Sequence, residues 1–356
     1  MALEILRLLM LAGLVCALST LLVRVVRSAN RRRLLDVPNE RSSHVVPTPT
    51  GGGVGIVVAM LLGMAVLLPS VPDWQRVMLL VVTSGGLFLA LVSFIDDVRR
   101  LPPGLRLAMH LCITVLVLQW GGYWERARIP GLGIVDLGWL GLPLTFAWFV
   151  GLMNAYNFMD GIDGIAGGQG VIAGIGWVVL GVLWHDIGTA SIGAMLAGAC
   201  LGFLFHNWSP ARIFMGDVGS VFLGYMFAAL PLLPRSSDPA LQIAAIAMLW
   251  PFVFDSGMTF LRRLLSGENV FRPHRSHLYQ RLVIAGYSHA RVASIYVGLA
   301  VASAIASLGT VSDSEVVRVG GVAILVSAAL GLWVFVRHIE RARAVVVSES
   351  ADLMTV

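Results

Sequence analysis

The sequence predicts an all-α, polytopic transmembrane helical bundle of about 11 spans, with 10 as the lower count, and three observations predict it. Hydrophobic residues fill 57% of the 356 positions and charged residues only 13%, too little charge to cover a water-soluble domain of this length. The apolar residues fall in runs that approach or exceed the roughly 20 residues a spanning helix needs. Short clusters of Pro, Gly, Asp and Arg separate the runs. This leaves one integral membrane domain over residues 1–340 and a short cytoplasmic tail at 341–356.

The first run, 5–26, lacks an Ala-x-Ala exit and ends in Arg24, Arg27 and Arg31 to Arg33, so it reads as a retained span. Further runs follow at 51–70, 76–95, 105–120, 139–156, 164–183, 187–206, 218–234, 240–261, 290–309 and 316–337. Before the second run, Thr48 and Thr50 are candidate caps for the helix that follows. Pro72-Asp73-Trp74 and the segment 234–239 are tight turns. The stretch 121–141, with Trp124, Trp139 and several glycines, reads as a small interfacial hairpin. Cys16, Cys112 and Cys200 lie far apart inside apolar runs, which fits neither a zinc site nor a disulfide framework. There is no internal repeat of the kind many transporters carry.

All 25 basic residues are Arg. The absence of Lys excludes a Walker-type phosphate loop. Nineteen of these arginines fall in loops of one parity and six in the other. That bias predicts an outside N-terminus, a cytoplasmic C-terminus and a chain whose basic face meets membrane lipids, not nucleic acid.

Four polar clusters lie on the arginine-rich side. Asp96-Asp97 ends the third run, beside Arg99 and Arg100; paired carboxylates there favour a cation or a protonated partner. Asn154, Asn157, Asp160 and Asp163 recur every three residues at the end of the fifth run, and Gly161 and Gly164 predict a break in the helix. Oxygen-only side chains of this kind suit Mg²⁺. His206-Asn207, Phe214 and Gly216-Asp217 precede the eighth run, where Asp217 is a candidate cap and Phe214 a stacking ring. Arg272, His274, Arg275, His277 and Arg281 crowd the longest inner loop and resemble a phosphate clamp. Asp255 lies inside the ninth run, with Arg262 two turns on as a candidate partner.

The order and shared sidedness of Ile95-Asp96-Asp97, the segment Asn154–Gly164, Phe214-Met-Gly-Asp217-Val-Gly-Ser220 and the His-x-x-His loop resemble the polyprenyl-phosphate N-acetylhexosamine-1-phosphate transferases over nearly the whole chain. The loop Arg272-Pro-His274-Arg275-Ser-His277 is most similar to the O-antigen-initiating branch. The resemblance implies a Mg²⁺ site, with Mn²⁺ as a substitute, held by Asp217 and Asn157. Of the four implied catalytic carboxylates, Asp96 would face the lipid phosphate as candidate base, while Asp97, Asp160 and Asp163 hold metal or sugar. It implies substrate binding by Asn154, Asn207, Phe214, His274, His277, Arg272 and Arg275. Arg99 and His44 stand near places where some relatives carry Lys. Arg keeps the charge there but does not donate a proton readily.

The implied substrates are a UDP-N-acetylhexosamine and undecaprenyl phosphate, joined at the cytoplasmic face of a bacterial inner membrane with release of UMP, by direct attack on the β-phosphorus. A peptidoglycan-type transferase is the alternative. A cation-coupled transporter would need ionisable groups at the bilayer midplane, where only Asp255 qualifies. A CDP-alcohol phosphotransferase would need Ala-Arg after the Asp-Gly pair, where Ile165-Ala166-Gly167-Gly168 stands instead. Neither the sugar nor the choice between monomer and homodimer is decided by the sequence.

Overall fold

A computed structural model describes residues 2–31, 34–38, 46–233, 238–270, 272 and 274–353. His44, one of the candidate binding residues, lies outside them. Thirteen helices follow one another among the described residues: α1 (Ala2–Asn30), α2 (Gly53–Leu67), α3 (Asp73–Arg99), α4 (Pro103–Gly121), α5 (Gly141–Met159), α6 (Ile165–Leu183), α7 (Ile187–Asn207), α8 (Asp217–Ala229), α9 (Leu241–Met248), α10 (Trp250–Leu265), α11 (Leu278–Ile284), α12 (His289–Thr310) and α13 (Glu315–Leu353). Nine apolar stretches are long enough to cross a bilayer, and the pair α9 and α10 makes ten. The protein is a polytopic helical membrane protein. The last helix runs on through the expected tail as far as Leu353.

Two departures from the expected spans have physical causes. The run at 240–261 is not one straight helix, because α9 and α10 meet at 77°. Pro251 sits in the first turn of α10, where its missing N–H and fixed φ start a helix but cannot continue one. The run at 218–234 becomes α8 and a closing 3-10 turn ending at Leu232. At 1.5 Å per residue it covers roughly 24 Å, less than the roughly 30 Å hydrocarbon core.

The packing centre is α7, wedged between α1 and α6. Its sequence alternates bulk with Gly and Ala, so backbones meet closely. A Cβ on Gly198 would stand 2.3 Å from the Ala12 carbonyl oxygen, and one on Gly202 2.4 Å from that of Cys16. This Gly-x-x-x-Gly face does for α1 what small residues do between membrane helices generally. On the far side, α8 lies between α3 and α5, which brings three of the motif-bearing helix ends together.

The connections fall into two sets. At one end β3 (Arg126–Ile129) and β4 (Gly133–Asp136) form the expected hairpin; Arg128 contacts Asp238 at 3.6 Å, and the Gly131 N–H donates to Glu315. At the other end β1 (Leu35–Asp36) pairs with β2 (Thr48–Pro49). Thr48 does not cap α2 as expected: its hydroxyl donates to the Val46 carbonyl, and α2 starts at Gly52 with no side-chain cap. The three cysteines are free.

Candidate functional site

At the end of the bundle that carries β1 and β2, a cleft of about 850 Å³ is lined by Asp96, Asp97, Asn157, Asp160, Asp163, Asn207, Phe214 and Asp217, among others. These eight residues come from three of the four polar clusters. The end of α3, the α5–α6 break and the start of α8 each contribute a polar tip.

The key contact joins the first and third clusters. Arg106, in the first turn of α4, donates through Nη1 to Asp96 Oδ2 at 2.8 Å and to Asp217 Oδ2 at 3.0 Å. Asp96 also accepts from the Leu101 N–H at 2.6 Å. The Asp pair thus does not turn to Arg99 and Arg100, both of which are exposed. Asp97 points to α8, its Oδ1 accepting from the Asp217 N–H at 3.1 Å. The cap of α8 is therefore Asp97 from another helix, and not Asp217, whose side chain is engaged by Arg106 and Asn157. Gly216, with φ +75°, makes the approach possible: a Cβ there would stand 2.7 Å from Asp97 Oδ2.

The second cluster breaks its helix as its glycines predict. α5 ends at Met159 and α6 begins after Gly164. Asn157 donates to Asp217 Oδ1 at 2.8 Å and to the Ser220 hydroxyl at 3.0 Å. The Gly164 N–H donates to Asn207 Oδ1 at 2.9 Å, which ties the break to the end of α7. Asp163 accepts from the Ala211 N–H at 3.1 Å and meets His289 Nδ1 at 3.2 Å. Burial would raise its carboxyl, but His289, Ala211 and Ser209 outweigh that and hold it below its ordinary value. Asp160 has the opposite fate. Burial first, then the carboxylates of Asp217, Asp97 and Asp163, push it well above the ordinary range.

The donor set fits a hard cation. Six carboxylates line the cleft, against the guanidinium groups of Arg100 and Arg106 and the His289 ring. Among the described residues no three His, Cys, Asp or Glu side chains already form a closed metal cage. Mg²⁺ characteristically takes one or two protein carboxylates and leaves the rest of its shell to water and phosphate. Asp217, the Asn157 amide and Asp160 are the groups placed to hold it.

Comparisons with known proteins identify the family. Residues 79–234 match the model of glycosyl transferase family 4. A probable undecaprenyl-phosphate N-acetylglucosaminyl 1-phosphate transferase of Bacillus subtilis is 31% identical over 78% of each chain. The decaprenyl-phosphate N-acetylglucosaminephosphotransferase of Mycolicibacterium smegmatis is 34% identical over 94% of this chain and 90% of its own. A phospho-N-acetylmuramoyl-pentapeptide-transferase of Synechococcus is 32% identical over 71% and 76%. The chain belongs to the polyprenyl-phosphate N-acetylhexosamine-1-phosphate transferase family. It is a membrane phosphotransferase.

In this transferase the remaining sequence candidates lie outside the cleft lining. Asn154 donates back to the Val150 carbonyl at 2.7 Å. Arg99 and Arg272 are exposed, and His274 and Arg275 are half-buried. Burial, His277, Arg263 and Arg262 lower His274 to about 4, so near neutral pH it offers a neutral ring and not a charged clamp. His277 is buried against Asp255, at 3.3 Å.

Asp255 does not pair with Arg262, which donates instead to the Ser276 carbonyl. It accepts the N–H groups of Leu278 and Tyr279 at 2.8 and 3.1 Å and the Tyr296 hydroxyl at 2.5 Å. It is thus the cap of α11. Tyr279 then donates to the Phe158 carbonyl at 2.9 Å, so the His loop braces the α5–α6 break from behind. A Cβ on Gly161 would fall 2.0 Å from the Tyr279 hydroxyl. Gly161→Ala is expected to cost about 1–3 kcal/mol of stability by overpacking, read as a lower unfolding temperature in detergent. An unchanged temperature would contradict the brace.

Arg106, Gln280 and His289 also line the cleft but were not among the sequence candidates. Gln280 belongs to the inner-loop cluster but is overshadowed there by its cations, while Arg106 and His289 are brought to the acidic clusters only by the fold.

Proposed function

We propose that the cleft transfers an N-acetylhexosamine-1-phosphate from a UDP-sugar to undecaprenyl phosphate, releasing UMP and forming the lipid-linked diphospho-sugar that starts O-antigen or a related envelope glycan. The observation that carries this reading is the Arg106 bridge, which gathers Asp96 and Asp217, 121 positions apart, in one acidic cleft beside Asn157. The decaprenyl-phosphate GlcNAc-phosphotransferase relatives align over 81–94% of the chain, against 71–79% for the muramoyl-pentapeptide enzymes, which favours a simple amino-sugar donor over the peptidoglycan-type alternative.

The arginine bias supports a cytoplasmic cleft in a bacterial inner membrane, where nucleotide sugars arrive from water and the lipid from the bilayer. Mg²⁺, when bound by Asp217, Asn157 and Asp160, would neutralise diphosphate charge that the six carboxylates of the cleft alone would repel. The chain's own residues do the rest. Asp96 is committed to Arg106 and Leu101, so it positions and does not need to act as a base. A lipid phosphate with a second pKa of about 6 is mostly dianionic at neutral pH. Arg106 uses only Nη1 on the two carboxylates, which leaves Nη2 and Nε for the incoming phosphate. Asn207 and Phe214 would line the nucleoside end. A direct in-line attack follows; a sugar phosphate trapped covalently on Asp96 or Asp160 would exclude it.

The test is UMP release from purified protein with undecaprenyl phosphate, Mg²⁺ and a panel of UDP-GlcNAc, UDP-GalNAc, UDP-FucNAc and UDP-QuiNAc. One donor is expected to turn over, and Asp217→Asn to lower the rate by roughly 1,000-fold or more, the scale of losing a group that holds transition-state charge. No turnover with any donor, or full turnover by Asp217→Asn, would overturn the assignment.

A further inference from the structure

A second polar cavity, of about 460 Å³, lies on the other side of the β1–β2 hairpin and is lined by Arg27, Arg31, Leu35, Pro47, Pro49 and Arg212. Arg24, Arg27 and Arg31 follow one another at three- and four-residue spacing, so the end of α1 presents them along one face. Arg212 joins them from the α7–α8 connection. The four guanidinium groups are close enough to repel one another. Among the described residues, none of them has a carboxylate partner, whereas Arg106, Arg263, Arg281 and Arg318 each have one. One donor at this spot is buried without a partner, the Nε of Arg27. A buried donor is rarely left so, and three unopposed like charges lining one cavity, with Arg24 beside them, call for an anion.

The position of the cavity says which anion. Leu21 and Val25, beside Arg24 on α1, are 58% and 57% exposed, as side chains facing lipid are. The arginines begin where this apolar stretch ends, at the depth of the headgroups. Basic pockets at that depth hold phosphate headgroups. We propose that this cavity is a binding site for the phosphate headgroup of an anionic membrane phospholipid, separate from the transfer cleft. The hairpin is the wall between the two sites. Leu35 lines both, and the Pro49 carbonyl accepts at 2.8 Å from the N–H of Phe214, whose residue lines the cleft. A headgroup held by Arg27, Arg31 and Arg212 therefore steadies the wall of the cleft from outside.

The experiment uses the detergent-purified full chain, titrated with phosphatidylglycerol, phosphatidylcholine or inorganic phosphate while bound lipid is counted by native mass spectrometry. Phosphatidylglycerol is expected to be retained in preference to phosphatidylcholine. The triple change Arg27→Gln, Arg31→Gln, Arg212→Gln is expected to weaken it roughly 100-fold, from a factor of about five per arginine. Lysine at the same three positions keeps the charge and is expected to keep most of the binding, which separates lost binding from lost folding. A charge-matched control, Arg291→Gln, Arg337→Gln, Arg341→Gln, is expected to bind nearly as the parent does. Equal weakening in the control, or equal retention of the two lipids, would reduce the site to diffuse surface charge and overturn it. Displacement of the lipid by low millimolar inorganic phosphate would overturn the lipid assignment in favour of a free anion.

Discussion

Asp255→Ala is expected to destabilise the folded transferase by about 3–5 kcal/mol, the scale for removing one side of a buried charged network. The side chain is fully buried, faces His277 and accepts four hydrogen bonds at once, one of them from the Thr259 hydroxyl a turn along its own helix. It ends the exposed N–H groups of Leu278 and Tyr279 at the start of α11 and takes the Tyr296 hydroxyl from α12. Truncation leaves two buried N–H groups and a hydroxyl unpaired, each costing about 1–3 kcal/mol when no partner replaces the lost one. Asp255→Asn keeps the volume and one acceptor, so a smaller loss is expected. Denaturant or thermal unfolding in detergent reads the difference, and a loss below about 1 kcal/mol for Ala would show that the network is dispensable. The effect extends to catalysis, because Tyr279 carries the network on to Phe158 and Gly161 at the α5–α6 break. A transporter reading loses its best residue by the same observation. The one carboxylate inside a predicted span is spent on capping a helix.

The sequence was legible where chemistry is local. Asn157, Asp160 and Asp163 announce a broken helix by their spacing and their glycines, and the break stands between Met159 and Ile165. Asp217 was marked by the glycine before it and the apolar run after it. Span positions followed from hydropathy because a membrane helix must satisfy its own backbone wherever it runs. What hydropathy does not encode is direction, so the 77° turn at Leu249 was hidden although Pro251 was in plain view. Partnerships across the chain were hidden for the same reason. Asp97 caps a helix that begins 120 residues later, and Asp163 finds His289 from α12. Asp255 has its nearest cation in sequence at Arg262, yet it meets His277, the N–H groups that follow it and the Tyr296 hydroxyl. A carboxylate is equally content with a guanidinium or a row of N–H groups, and only the fold decides which it meets.

Arg106 is the sharpest case of a group that sequence could not single out, and replacing it is expected to have the largest effect on turnover after Asp217 itself. Arg106→Gln should lower kcat by about 100- to 1,000-fold, the range for losing one preorganised group that stabilises developing charge. The reasoning is geometric. One nitrogen holds Asp96 and Asp217 at 2.8 and 3.0 Å, and without it two carboxylates of like charge face each other with no cation between them. Gln restores amide N–H donors on one nitrogen but no charge. Lys restores the charge but as a point, without the fork that reaches two carboxylates and a phosphate together. Arg106→Lys should therefore recover part of kcat, and the KM for the UDP-sugar should change less than kcat in both variants. Far-UV circular dichroism and unfolding temperature close to the parent would place the loss in the cleft and not in folding. A kcat within a few-fold of the parent for Arg106→Gln would mean that the bridge only holds α3, α4 and α8 together. In that case phosphate charge in the cleft is met by other groups, Arg100 first among those that line it.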